Sequence, residues 1–215
     1  MDVHSSQAAL RGGAPLEGAN AALILIHGRG SSAGDILGLG EEVSDGVAGV
    51  ALLAPEAAGH TWYPQRFLAP VAQNEPFLGS ALGVIARLAA EAAGACLGPE
   101  KLVIIGFSQG ACLALEFAAR NPCRYGGVVG LSGALIGEPG AARQASGGFG
   151  GTPVYLGCSD RDAHIPLQSV EDAAAFFSAH GAGVTKSIFR GMGHAVNPEE
   201  LSAVRAIVRG VAAGR

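Results

Sequence analysis

Lys101-Leu102-Val103-Ile104-Ile105-Gly106-Phe107-Ser108-Gln109-Gly110-Ala111-Cys112-Leu113-Ala114-Leu115-Glu116-Phe117-Ala118-Ala119 is the stretch that decides the fold. Its first five residues form a continuous apolar run of the kind buried on both faces of a parallel sheet. Its last nine are small and aliphatic with helical spacing. Between them stands G-x-S-x-G, a turn so tight that the serine backbone is strained and its hydroxyl is pushed out above the carboxyl edge of the sheet. Gly106 and Gly110 are required because a Cβ two residues either side of the apex would collide with the adjoining strand or helix. The chain holds 34 glycines, so the pentapeptide alone is a weak signal. The strand before it and the helix after it carry the reading.

Outward from this turn, apolar runs and amphipathic stretches alternate. Strands are expected at 22–26, 50–54, 127–132, 152–158 and 184–190, and helices at about 36–45, 77–95, 167–179 and 198–212. Asn197 and Pro198 suit the start of the last helix, and Gly181 the end of the one before it. Residues 1–20 carry a weak edge-strand signal, and the glycine-rich segment 133–151 reads as a loop with mobility. The alternation implies an α/β architecture: a mostly parallel central sheet with helices on both faces. At 215 residues and 49% hydrophobic content, the chain fits a single domain spanning 1–215 with no large lid domain.

Fourteen basic and 18 acidic residues give a formal charge of −4 and a pI near 5.8, with no basic stripe for nucleic acid. No segment stands out as a membrane span, so no stable membrane insertion is expected. The first residues lack a basic and an apolar signal region, which points to the cytoplasm. Cys96, Cys112, Cys123 and Cys158 have no C-x-x-C spacing and no histidines at ligand distances, so they read as free thiols packed as small hydrophobes, with no metal site. Cys158, at the end of its strand, is placed to line a pocket. Composition leaves room for a homodimer.

A serine hydroxyl needs a histidine base and a carboxylate that fixes the histidine tautomer. On such a scaffold the acid follows the serine and the histidine comes last. His194, in the Gly191-Met192-Gly193-His194 turn between the last strand and the last helix, is the expected base. Asp160 and Asp162 both lie in the loop after the strand ending at Cys158, and spacing alone does not separate them. The spare aspartate is expected to pair with Arg161 or to cap the next helix. Two backbone donors for an oxyanion are expected at Gln109, directly after the serine, and at Arg29 in His27-Gly28-Arg29-Gly30, with His27 bracing that loop. Trp62, Tyr63, Phe67 and Ile165, with Leu68 and His164 nearby, are candidates for the wall of a substrate pocket. His4 and His60 have no partners in the pattern, and His180 suits a helix C-terminus.

In His27-Gly28-Arg29-Gly30, Gly106–Gly110, Asp162-Ala163-His164-Ile165-Pro166 and Gly191-Met192-Gly193-His194 the chain resembles the carboxylesterase and phospholipase group of α/β hydrolases that includes the acyl-protein thioesterases. The resemblance runs through nearly the whole length. It implies the α/β-hydrolase fold, a Ser108-His194-Asp162 triad with Asp162 rather than Asp160 as the acid, and no cofactor. The implied substrate is a small-molecule ester of short or medium acyl chain, or a thioester. Trp62-Tyr63-Pro64 stands where the eukaryotic thioesterases have Trp-Phe-Asp, which looks more like the bacterial small-ester branch.

Overall fold

The computed structural model describes residues 2–141, 143 and 146–214. Seven strands form one sheet: β1 (Leu10–Gly13), β2 (Ala21–Ile26), β3 (Val50–Ala54), β4 (Leu102–Phe107), β5 (Gly127–Leu131), β6 (Pro153–Ser159) and β7 (Gly183–Phe189). Their order across the sheet is β1-β3-β2-β4-β5-β6-β7. Only β1, the weakly signalled edge, runs antiparallel, pairing Leu10 with Ala54 and Gly13 with Ala51. All other pairs are parallel.

The strands are apolar on both sides because both faces are covered. Ala22, Ile24 and Ile26 of β2 and Leu102 and Ile104 of β4 point into one core. Ala21, Leu23, Leu25, Val103 and Ile105 point into the other. Helices α2 (Phe77–Gly94), α3 (Gln109–Arg120) and α4 (Leu167–Ala179) cover the first face, and α1 (Ala33–Ser44) and α5 (Pro198–Ala212) the second. This is the α/β-hydrolase arrangement, with α3 leaving the central strand β4 at the sheet's middle.

Local signals set the helix ends. Asn197 caps α5 through its side chain, and Glu200 closes a reciprocal capping box. Ser32 and Asp35 do the same for α1, so that helix starts a turn earlier than its apolar periodicity suggests. His180 follows α4 and bonds the Phe176 carbonyl through Nδ1 at 2.7 Å, satisfying a terminal acceptor.

Two features add to the sequence expectation. Helix α2 is long and apolar enough, by length and composition, to cross a membrane; in the fold its Leu78, Ala81, Ile85, Leu88 and Ala92 are buried in the core. The loop after β5 is anchored in part rather than loose. Ala134, Ile136 and Phe149 are buried, and Glu116 of α3 accepts the Ile136 N–H at 3.0 Å and an Arg143 N–H at 2.8 Å. The expectation of mobility also falls on Ala142, Gln144 and Ala145, which lie outside the described residues.

Candidate active site

Strand β4 delivers Ser108 at φ 55° and ψ −118°, a conformation that side-chain-bearing residues rarely adopt. The turn is closely packed on both sides of the serine. A Cβ on Gly106 would overlap the Gly110 carbonyl, and one on Gly110 would overlap the Ile26 and His27 carbonyls. The Ser108 N–H continues the sheet by donating to Leu131 O at 2.9 Å.

The histidine arrives from the loop between β7 and α5. Gly191 (φ 65°) and Gly193 (φ 79°) flank the turn in left-handed backbone, where glycine carries no Cβ penalty. The loop is tied to the acid-bearing loop after β6. The Gly191 N–H donates to Asp160 Oδ1 at 2.8 Å and the Gly193 N–H to Ser159 Oγ at 3.1 Å. Phe107 and His164 pack on the His194 ring with centroids 5.0 and 4.7 Å away.

Ser108, His194 and Asp162 stand in a hydrogen-bonded line. His194 Nε2 lies 2.7 Å from Ser108 Oγ, and Nδ1 lies 2.7 Å from Asp162 Oδ2. The Asp162 side chain is inaccessible to solvent, and its second oxygen accepts the backbone N–H groups of His164 and Ile165 at 2.8 and 3.0 Å. Burial pushes this carboxyl upward, but the bonds from His194, His164 and Ile165 outweigh it and hold it below the ordinary aspartate value. A carboxylate must accept, so Nδ1–H donates to it and the Nε2 lone pair is left facing Ser108 Oγ.

Asp160 neither pairs with Arg161 nor caps α4, as expected of the spare aspartate; it holds the Gly191 amide. Spacing could not divide the two acids because both serve the histidine loop, one through its side chain and one through its backbone.

The Arg29 and Gln109 N–H groups have no intramolecular hydrogen-bond partner among the described residues. The His27–Gly30 loop presses on the serine turn, since a Cβ on Gly28 would meet Ser108 Cβ at 3.3 Å. Gln109 is the first residue of α3, so the positive end of the helix dipole lies at the serine. Both residues also use their side chains, which the sequence reading missed. Arg29 donates to the carbonyls of Tyr63, Pro64 and Gln65 at 2.8–3.1 Å. The Gln109 amide accepts from Trp62 N at 2.9 Å and donates to Tyr63 O at 2.8 Å.

A cavity of about 490 Å³ opens beside Ser108. Tyr63, Phe67 and Ile165 line it, with Arg29, Pro64, Gln65, Arg66, Gln109, Cys112, His164 and His194. Trp62 does not. It is fully buried behind the wall, its indole N–H donating to His27 O at 2.9 Å and its ring 5.0 Å from the His27 ring. Leu68 packs on the core outside this cavity.

Cys158 lies beneath Asp162, Sγ to Oδ2 3.8 Å, rather than in the cavity. The cysteine in the wall is Cys112, one helical turn from Ser108, a spacing that could have identified it. Burial pushes its thiol up to about 12, which keeps it protonated beside the serine. All four cysteines are free, with Cys96 exposed rather than packed.

His4 is buried too, against expectation. Its Nε2 bonds the Trp62 carbonyl at 2.9 Å and its Nδ1 accepts the Ala58 N–H at 3.1 Å, pinning the N-terminal segment to the wall loop. His27 accepts the Ala57 N–H at 3.1 Å and bonds the Gly28 carbonyl at 2.7 Å, as expected of a brace. His60 bonds the Ser31 carbonyl at 3.0 Å. Among the described residues no cluster of three or more His, Cys, Asp or Glu side chains is placed to hold a metal ion.

The phospholipase/carboxylesterase family model matches residues 13–211, which takes in every strand after β1, the serine turn, both aspartates and His194. The chain belongs to the phospholipase/carboxylesterase family. Within that family it is similar to acyl-protein thioesterase 1 of Saccharomyces cerevisiae, with 33% identity over 114 residues, 52% of this chain and 50% of the yeast protein. It spans about half the length of the curated relatives it matches first. Among solved structures, a phospholipase/carboxylesterase from Dyadobacter fermentans is 34% identical with a TM-score of 0.90, covering 97% of this chain and 98% of that one. Esterase PE8 is 26% identical with a TM-score of 0.78, covering 95% and 99%.

Proposed function

We propose that this member of the phospholipase/carboxylesterase family hydrolyses short- to medium-chain carboxylic esters through an acyl-enzyme on Ser108. The observation that carries the reading is the unbroken relay from Ser108 Oγ through His194 to Asp162, with 2.7 Å at each link. Ser108 Oγ attacks the ester carbonyl as its proton passes to His194 Nε2, and the negative charge of the Asp162 carboxylate stabilises the imidazolium. The carbonyl oxygen gains charge and is held by the Arg29 N–H in the loop after β2 and the Gln109 N–H at the start of α3. His194 then gives its proton to the departing alcohol. Water, deprotonated by the same nitrogen, cleaves the acyl-serine, releasing the carboxylic acid and restoring the hydroxyl. The sequence of steps uses no cofactor.

Labelling with a fluorophosphonate followed by peptide mapping tests this. Ser108 is the expected site of modification, and Ser108→Ala is expected to remove both labelling and p-nitrophenyl butyrate hydrolysis. A label on another residue, or an undiminished burst from the variant, overturns the assignment. The similarity to acyl-protein thioesterase 1 of yeast supports a second reading, thioester hydrolysis with the same residues. Comparing kcat/KM for an oxygen ester and the matching thioester separates the two.

A further inference from the structure

The cavity that holds Ser108 is unevenly charged. Two arginines, Arg29 and Arg66, line it and, among the described residues, no carboxylate does, although the chain as a whole carries −4. The two arginines are committed differently. Arg29 is engaged with three backbone carbonyls. Arg66 is exposed; among the described residues its guanidinium reaches only the His164 carbonyl, at 3.5 Å, and no carboxylate forms an ion pair with it.

The backbone presenting Arg66 is held on both sides. Gln65 N donates to the buried Asn74 side chain at 2.8 Å, the Arg66 carbonyl accepts from the same amide at 3.4 Å, and the Phe67 carbonyl accepts Gly137 N at 2.7 Å. An arginine on an anchored backbone, its guanidinium exposed at the cavity and without a counter-ion among the described residues, offers a planar fork of donors matched to carboxylate or phosphate. In a cleft with low-dielectric walls its field also concentrates anions.

We infer that Arg66 is a specificity-determining residue that favours esters bearing an anionic group, such as a carboxylate or a phosphate, on the part of the substrate at the cavity's open side. The inference rests on the esterase reading and narrows its substrate class. It commits to the charge and leaves the acyl and alcohol sides to experiment.

Two matched pairs of substrates decide it. In one the charge is on the acyl side, mono-p-nitrophenyl adipate against its methyl ester. In the other it is on the leaving group, 4-acetoxybenzoate against methyl 4-acetoxybenzoate. For Arg66→Gln the ratio of kcat/KM, anionic over neutral, is expected to fall about two- to fivefold relative to wild type in at least one pair. Arg66→Lys should retain more of the ratio than Arg66→Gln, and about 0.5 M NaCl should erode it in wild type. A ratio that Arg66→Gln leaves unchanged in both pairs overturns the inference while the esterase reading stands. If wild type turns over neither neutral ester and Ser108 resists fluorophosphonate, the esterase reading fails and this inference with it.

Discussion

Replacing Asp162 by asparagine removes one charge and almost no volume, and the structure dictates how the amide must sit. The Asp162 Oδ1 position accepts two backbone N–H groups, from His164 and Ile165. An amide nitrogen there would face two donors, so the amide oxygen takes that place and the NH₂ faces His194. Nδ1 must then accept, and the ring proton moves to Nε2, where it points at Ser108 Oγ. The serine has lost its base although every heavy atom is in position. From the same tautomer argument in other triads, kcat is expected to fall about 10⁴-fold, or about 5.5 kcal/mol of transition-state stabilisation.

The stability cost should be smaller, about 1–2 kcal/mol, because both backbone bonds survive and only the charge-assisted bond to His194 is lost. The folded carboxyl lies below its unfolded value, so its contribution is present above roughly pH 4 and disappears as the pH falls through the folded value. The melting-temperature gap between wild type and Asp162→Asn should therefore exist at neutral pH and close in acid. Initial rates on p-nitrophenyl butyrate and thermal melts across pH suffice. A variant within tenfold of wild-type kcat, or an Asp160→Asn variant with an equal loss, refutes the reasoning.

Ser108→Gly should abolish activity yet raise the melting temperature, by an amount corresponding to about 1 kcal/mol, because glycine relieves the strained φ of 55°; a calorimetric melt unchanged or lowered contradicts stored strain at the turn. Glu200 is fully buried, with one oxygen on the Asn197 N–H and the other without a partner, and burial raises its carboxyl above the ordinary glutamate value. The stability it confers is complete below the unfolded value and is lost as the pH rises through the folded one. Glu200→Gln should therefore gain on wild type in melting temperature as the pH rises above about 4, the unfolded glutamate value, and a difference that stays constant from acid to neutral pH counts against it.

What could be read from the sequence was whatever a repeating pattern or a tight turn specifies. Two-sided aliphatic runs gave the central strands because no other environment suits Ala21–Ile26 or Leu102–Phe107. The serine turn was legible because two glycines and a flanking strand and helix are all needed to build it. Edge strand β1 was faint, since three of its four residues are exposed and two are glycine. Contacts between distant segments were not legible. Trp62 is an aromatic in a long loop, and contacts with distant residues, among them the His27 carbonyl 2.9 Å from its indole N–H and the His27 ring, make it a core residue instead of a pocket wall. His4 gives no sign in its neighbours that it bonds backbone groups 54 and 58 residues away. The division between Asp160 and Asp162 required the direction in which a two-residue offset turns a side chain, which periodicity in a loop does not supply.

The grip of Arg29 and Gln109 on residues 62–65 has a consequence for how such an enzyme can be altered. The amides proposed to steady the oxyanion belong to the same two residues whose side chains carry the pocket wall. Widening the wall to admit bulkier acyl groups pulls on the pair that tunes the rate. Breadth of substrate and speed of turnover are thus mechanically linked, and evolving one independently requires first transferring the wall's support to other residues.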